Sequence, residues 1–181
     1  MHDYGKELNE GIETFEAEIV AHARHDETAR RLATIPGIGP ITASLIAATV
    51  VDINLFKTAR QFAAWLGLVP RQNSTGGKTR LGRITKAGNR EIRKLLVLGA
   101  TSMVGRADGW NSAVGAWLRD ILQRRPVRLV TVALANKMAR IAWARLAKAP
   151  ASRLRLVGRP GEGVMTRNEV YRPQGGVAAK A

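Results

Sequence analysis

Between Arg31 and Val50 two apolar runs flank the turn Pro36-Gly37-Ile38-Gly39-Pro40. Proline suits the first position of a helix, where its missing N–H would have no partner anyway, and glycine supplies the backbone freedom of a tight turn. The segment therefore reads as the end of one apolar helix, a short turn and a second apolar helix opened by Pro40. Two apolar helices tied this closely commit the chain to helical packing.

The rest of the chain follows the same period. Tyr4, Leu8, Ile12, Phe15, Ile19 and Ala23 recur at steps of three and four residues among acidic neighbours, the spacing of one amphipathic helix. That helix needs a partner surface: half of a coiled-coil arm and a plain helix packed on its own domain are both open. A further helix is expected from near Thr58 to Gly67, where glycine and then Pro70 stop it. Residues 70–88 are expected to form a long irregular loop or a short hairpin. Ile92, Leu95, Leu96, Gly99 and Met103 make another helical stripe, followed by helices from Ala113 to about Gln123 and from about Val127 to Lys148. The fold class is all-α, with one substantial basic loop and a coiled-coil-like N-terminal helix. From Pro150 onward Arg, Gly, Pro and small residues alternate without an apolar period, so 149–181 is expected to be a disordered basic tail.

The 181 residues carry a formal charge of +15, more than solubility requires, and such an excess concentrates polyanions around the protein. Nucleic acid is the first partner to consider. The charge is unevenly placed: residues 1–30 hold three Lys/Arg against eight Asp/Glu, net −5, which leaves +20 for residues 31–181. There is no cysteine, excluding disulfides and thiolate metal sites and suiting a reducing cytoplasm. The first residues form no leader-like apolar region, and the longest apolar stretch, around Ile41 to Val51, falls short of a membrane span. A cytoplasmic location without membrane attachment is expected.

Leu32 to Leu45 has the pattern of a helix-hairpin-helix, in which the Gly37 and Gly39 amides and the free N–H groups of the second helix could hold one DNA phosphate without reading sequence. The competing reading is a turn that only joins two packed helices. The stretch from Pro70 to Arg90 places Arg71, Lys78, Arg80, Arg83, Lys86 and Arg90 together with no acid among them. Within it Ser74 lies in a glycine-flanked loop among cations, where a serine could attack a phosphodiester while arginines stabilise the developing charge. As structure alone, Asn-Ser-Thr-Gly-Gly is an ordinary turn, and residue types favour that turn because no histidine follows residue 25. Gly88-Asn89 caps a helix holding Arg90, Arg93 and Lys94, which could line the same groove or form a solvated face. In the last helix Lys137, Arg140 and Lys148 can share a basic face suited to backbone contact, with Asn136 beside it, next to a core stripe of Val130, Leu134, Met138 and Ile141. Metal-dependent cutting needs converging carboxylates, yet beyond residue 30 the acids are Asp52, Glu91, Asp108, Asp120, Glu162 and Glu169, widely scattered. No metal site and no cofactor are expected in this chain.

Several ordered motifs carry a family resemblance: Leu32-Ala-Thr-Ile-Pro-Gly-Ile-Gly-Pro40, Phe62-Ala-Ala-Trp-Leu-Gly-Leu-Val-Pro70, Asn73-Ser-Thr-Gly-Gly-Lys78, Arg83-Ile-Thr-Lys86 and Val132-Ala-Leu-Ala-Asn-Lys-Met-Ala-Arg140. Over about residues 20 to 147 the chain resembles the C-terminal transposase domain of the insertion-sequence-110 family. The resemblance implies a bacterial, nucleoid-associated protein whose family joins an N-terminal ribonuclease-H-like domain, with a DEDD acidic site for magnesium, through a coiled-coil arm to this domain. It implies a catalytic serine that links covalently to DNA, a guide RNA from the element and a multimer. By position Ser74 resembles that serine, with Thr75 the second choice because some members place the serine directly before glycine. On this reading 1–30 is the end of the connecting arm, 31–148 the helical domain with the hairpin at 31–50 and the Ser/Gly loop at 70–88, and magnesium belongs to an acidic half outside this sequence. DNA transposition by an incomplete recombinase and a non-catalytic DNA-binding module or remnant are the competing functions.

Overall fold

The computed structural model describes residues 3–73, 77, 78 and 80–148. It is helical apart from one small hairpin, as the periodicities predict.

The N-terminal pattern is one long helix, α1 (Asp3–His25), followed at once by the short α2 (Glu27–Ala33). The break falls at Asp26, whose Oδ1 accepts from the N–H groups of Thr28 at 2.6 Å and Ala29 at 3.0 Å. An aspartate that caps the next helix satisfies two donors that would otherwise be orphaned, so a new helix starts inside an otherwise continuous pattern. Of Leu8, Ile12, Phe15, Ile19 and Ala23 on the apolar stripe of α1, only Ala23 enters the core. Leu8, Ile12 and Phe15 remain 57%, 49% and 68% exposed, so nothing among the described residues covers them.

After the turn at residues 34–39, α3 (Pro40–Thr49) opens with proline in its first turn and packs against α1 and α2. A 3-10 turn (Ile53–Leu55) leads to α4 (Ala59–Trp65), capped by the Thr58 hydroxyl, which accepts from the Gln61 N–H at 3.2 Å. Strands β1 (Pro70–Gln72) and β2 (Leu81–Ile84) form the hairpin. The longer helices are α5 (Arg90–Val104), α6 (Ala113–Arg124) and α7 (Val127–Ala147).

Helix α7 is the axis of the core and packs on α2, α4, α5 and α6. Val130, Leu134, Ala135, Met138, Ala139 and Ala142 are at most 1% exposed; of the stripe read from sequence, Val130, Leu134 and Met138 are among them, whereas Ile141 is only half-buried because it lies at the edge of this face. Its alanines let neighbours approach closely, and each large buried side chain contributes about 1.5–3 kcal/mol of transfer free energy. Phe62, Leu66 and Leu68 fill the space beside α4, with Ile92, Leu96 and Met103 on α5.

The turn between α2 and α3 is keyed into this core. Ile35 and Ile38 are buried, and the N–H of Ile38 donates to the Ile35 carbonyl at 3.0 Å. Gly37 has φ +83°, a left-handed conformation that side chains disfavour. Its carbonyl oxygen lies only 1.9 Å from where a Cβ on Gly99 would be, so the backbone of this turn and that of α5 touch.

Candidate nucleic-acid interface

The hairpin is rooted through main-chain groups. The N–H of Thr85 donates to the Val69 carbonyl at 3.0 Å, and that of Lys86 to the Gly67 carbonyl at 3.1 Å. Arg93 braces the root: its Nη1 donates to the carbonyls of Leu66 and Ala87, each at 2.9 Å. The Asn136 amide on α7 donates to the Leu68 carbonyl at 3.1 Å. At Gly88 a Cβ would fall 1.7 Å from the Trp65 carbonyl oxygen, so only glycine lets the chain pass this close to the end of α4.

Beyond this root the strands emerge from the body. Pro70 pairs with Ile84 and Gln72 with Leu81, a one-residue slip that makes a bulge. A bulge twists a two-stranded ribbon and disrupts the edge for pairing with other strands. Every strand residue is exposed except Ile84, which is half-buried. The Asn73 N–H closes on the Arg80 carbonyl at 2.8 Å. Ser74 and Thr75 lie outside the described residues.

Arg71, Lys78, Arg80 and Arg83 are all exposed on this ribbon, with Lys86 at its foot and Arg90 and Lys94 one turn apart at the start of α5. Among the described residues none of these cations pairs with a carboxylate; the ion pairs there are Arg31–Glu27 and Arg124–Asp120. The sequence explains why, since no Asp or Glu occurs from residue 53 to residue 90. Lys86 holds φ 56° without being glycine, which fixes its backbone at the hairpin foot. Arg93, grouped with these cations from sequence, directs its Nη1 to main-chain carbonyls and so has a supporting part.

The glycine turn is elsewhere. Gly37 and Gly39 line a hollow of about 330 Å³ with Ser102, Met103, Arg106 and Trp110. At the start of α3 the N–H groups of Ile41 and Thr42 have no acceptor in the described chain, because Gly39 offers no capping side chain. Helix N-termini with free N–H groups favour anions. Arg106 was missed in the sequence because it lies 67 residues beyond Gly39 and only the path of α5 brings it here. From Arg90 to Val104 that helix has 15 residues, about 21 Å long at 1.5 Å per residue. The glycine turn meets this helix at Gly99 and the hairpin root meets it at Arg93, six residues or about 9 Å apart along the axis, so the two features occupy different places on α5.

Lys137 and Arg140 belong to a third place, on α7. The Lys137 Nζ stands 4.5 Å from the centre of the Trp117 ring, a cation–π contact tying α6 to α7. Arg140 is exposed. Among the described residues no group of three His, Cys, Asp or Glu could hold a metal ion. No described helix is long and apolar enough to cross a membrane.

Residues 29–114 match the family described as "Transposase IS116/IS110/IS902 family". The chain is 48% identical over 155 residues to a Pseudomonas aeruginosa protein named "Probable family 20 transposase", covering 82% of this chain and 46% of that one. It is 46% identical over 143 residues to the transposase for insertion sequence element IS1328 of Yersinia enterocolitica, covering 79% and 43%. With the transposase for insertion sequence element IS1111A of Coxiella burnetii it shares 40% over 140 residues, covering 77% and 38%. The chain thus spans about half or less of the length of the curated relatives it matches. The domain at residues 29–114, carrying the glycine turn, the basic hairpin and α5, belongs to the IS116/IS110/IS902 family of transposases.

Proposed function

We propose that this chain is a DNA-engaging part of an insertion-sequence transposase, and that the exposed cations between Arg71 and Arg90, none of which pairs with a carboxylate among the described residues, are its main DNA contact. The observation carrying this reading is a ribbon bearing Arg71, Lys78, Arg80 and Arg83, rooted by Arg93 and Asn136, in a member of a transposase family. The Gly37–Gly39 turn holds a second phosphate through free N–H groups, in the manner of a helix-hairpin-helix.

In this proposal Ser74 is the nucleophile. Its Oγ attacks a DNA phosphorus, a P–Oγ bond forms, the bond to one deoxyribose oxygen breaks, and that oxygen takes up the proton lost by the serine. Thr75 is the alternative hydroxyl. The hairpin arginines stabilise the charge that develops on phosphorus oxygens, the usual task of guanidinium groups in phosphoryl transfer. The family's acidic domain and its magnesium come from other residues than these. A guide RNA of the element joins the complex, and α1 pairs with a second copy through Leu8, Ile12 and Phe15, whose exposure supports self-association. A non-catalytic DNA-binding module is the second reading, favoured by the absence of any histidine beyond residue 25 and of any acid from 53 to 90.

The test mixes the protein with supercoiled and branched DNA carrying element ends, with and without the element's RNA, and looks for a denaturation-resistant adduct. An adduct lost in Ser74→Ala supports the nucleophile. Salt-sensitive binding with no adduct leaves the binding module. Failure to bind DNA at all removes the proposal.

A further inference from the structure

Along the C-terminal half of α7 runs an open groove of about 710 Å³ unconnected with the hairpin or the glycine turn by any residue lining it. Its cations are Lys137, Arg140, Arg145 and Lys148. Its floor is apolar: Ile141, Trp143 and Ala144 from the same helix, and Ala59 from the first turn of α4. Among the described residues no carboxylate lines it, and the sequence has none from residue 121 to residue 161.

The geometry follows from helical period. Lys137, Ile141, Ala144 and Lys148 recur at steps of four, three and four, so they share one face, with Arg140 and Arg145 on its two flanks. From Lys137 to Lys148 the face is about 16 Å long at 1.5 Å rise per residue. Trp143 is held in place, since its indole N–H donates to the Phe56 carbonyl at 3.0 Å, and Phe56 packs edge-on to Phe62 at 5.2 Å. Lys137 is likewise held over Trp117. Arg140, Arg145 and Lys148 are exposed and make no ion pair among the described residues.

Cations along the sides of an apolar floor are what a strand with unpaired bases needs. Phosphates meet the charges, and the bases, not hidden in a duplex, lie on apolar and aromatic surface. A duplex offers only phosphates to such a floor and leaves its apolar part unused. We infer that the α7 groove binds a single-stranded nucleic-acid segment, separately from the duplex contact assigned to the hairpin. This rests on the reading of the chain as nucleic-acid binding and adds to it a second substrate class and a second site.

The test uses the full chain and measures binding of labelled oligo(dT), oligo(rU) and a 20-base-pair duplex across a salt series. One variant combines Arg140→Gln, Arg145→Gln and Lys148→Gln, all exposed positions; a second combines Arg71→Gln and Arg83→Gln on the hairpin. Losing three phosphate contacts should lower the salt slope for single strands by about 2, at about 0.7 per phosphate. The expected result is that the groove variant weakens single-strand binding at least about tenfold while keeping duplex affinity, with the hairpin variant showing the reverse. The oligo(dT) and oligo(rU) arms tell whether the segment is DNA or RNA. Equal loss of duplex and single strands in the groove variant, or wild-type single-strand binding by it, overturns the inference while the hairpin reading stands. A wild-type chain that binds neither form overturns both.

Discussion

Replacing Gly99 by alanine tests whether the glycine turn and α5 touch through their backbones. On propensity alone the change should help, because alanine inside a helix is favoured over glycine by about 1 kcal/mol. The structure opposes this. The new Cβ would stand 1.9 Å from the Gly37 carbonyl oxygen and 3.0 Å from its carbon, with the Met138 methyl at 3.5 Å. Main-chain atoms cannot swing aside as a side-chain tip can, so the turn must move off α5 until the 1.9 Å contact exceeds 3.0 Å. Such overpacking costs about 1–3 kcal/mol, and the turn also pulls on Met103 and Met138, which already fill the space around Gly37. The upper part of that range less the propensity gain leaves a net loss of about 2 kcal/mol. For a chain of this size that lowers Tm by about 4–8 °C in a thermal melt followed by circular dichroism. The control is Gly39→Ala, where nothing lies within 4 Å of a Cβ, and Tm should stay within about 2 °C. A Gly99→Ala protein as stable as wild type, or more stable, would refute the close approach.

Other outcomes follow from the same contacts. In α1, Gly11 has nothing within 4 Å of a Cβ, so Gly11→Ala should stabilise that helix by about 1 kcal/mol and raise its hydrogen-exchange protection; no change would mean the helix is not formed in solution. Arg93→Ala removes two guanidinium bonds to the Leu66 and Ala87 carbonyls, at a cost of about 1–3 kcal/mol, and should speed hydrogen exchange at the hairpin root more than at α7. Asn89→Ala removes the cap on the Ile92 N–H and should cost about 1 kcal/mol in urea unfolding; a loss below about 0.3 kcal/mol would mean the cap is not made.

Much of the fold is legible because its punctuation is chemical. Pro40, Thr58, Gly67 and Asn89 mark helix starts and stops through missing donors, hydroxyl caps and left-handed φ, and each lies at an observed boundary. The α7 stripe is legible because one face of it is fully buried. The break at Asp26 is not, since an aspartate within a long helical period fits a continuous helix equally well until its carboxylate is seen capping. Nor does period alone say whether Leu8, Ile12 and Phe15 will be covered, because an amphipathic pattern records the need for a partner and not its source. The site divides the same way. The density of cations from Arg71 to Arg90 and the basic face of Lys137, Arg140 and Lys148 are visible in the sequence, whereas Arg106 in the hollow of Gly37 and Gly39, and Ala59 in the groove of α7, arise only from how α5 and α7 run. Residue types alone make Ser74 a turn residue, and its candidacy as a nucleophile comes from the family resemblance.

Helix α5 can also be considered as a spacer. The hairpin root meets it at Arg93 and the glycine turn at Gly99, six residues or about 9 Å apart along the axis. One residue inserted between these two positions would turn one attachment by about 100° around the axis relative to the other and shift it by about 1.5 Å, so that α5 could no longer seat both the hairpin root and the glycine turn.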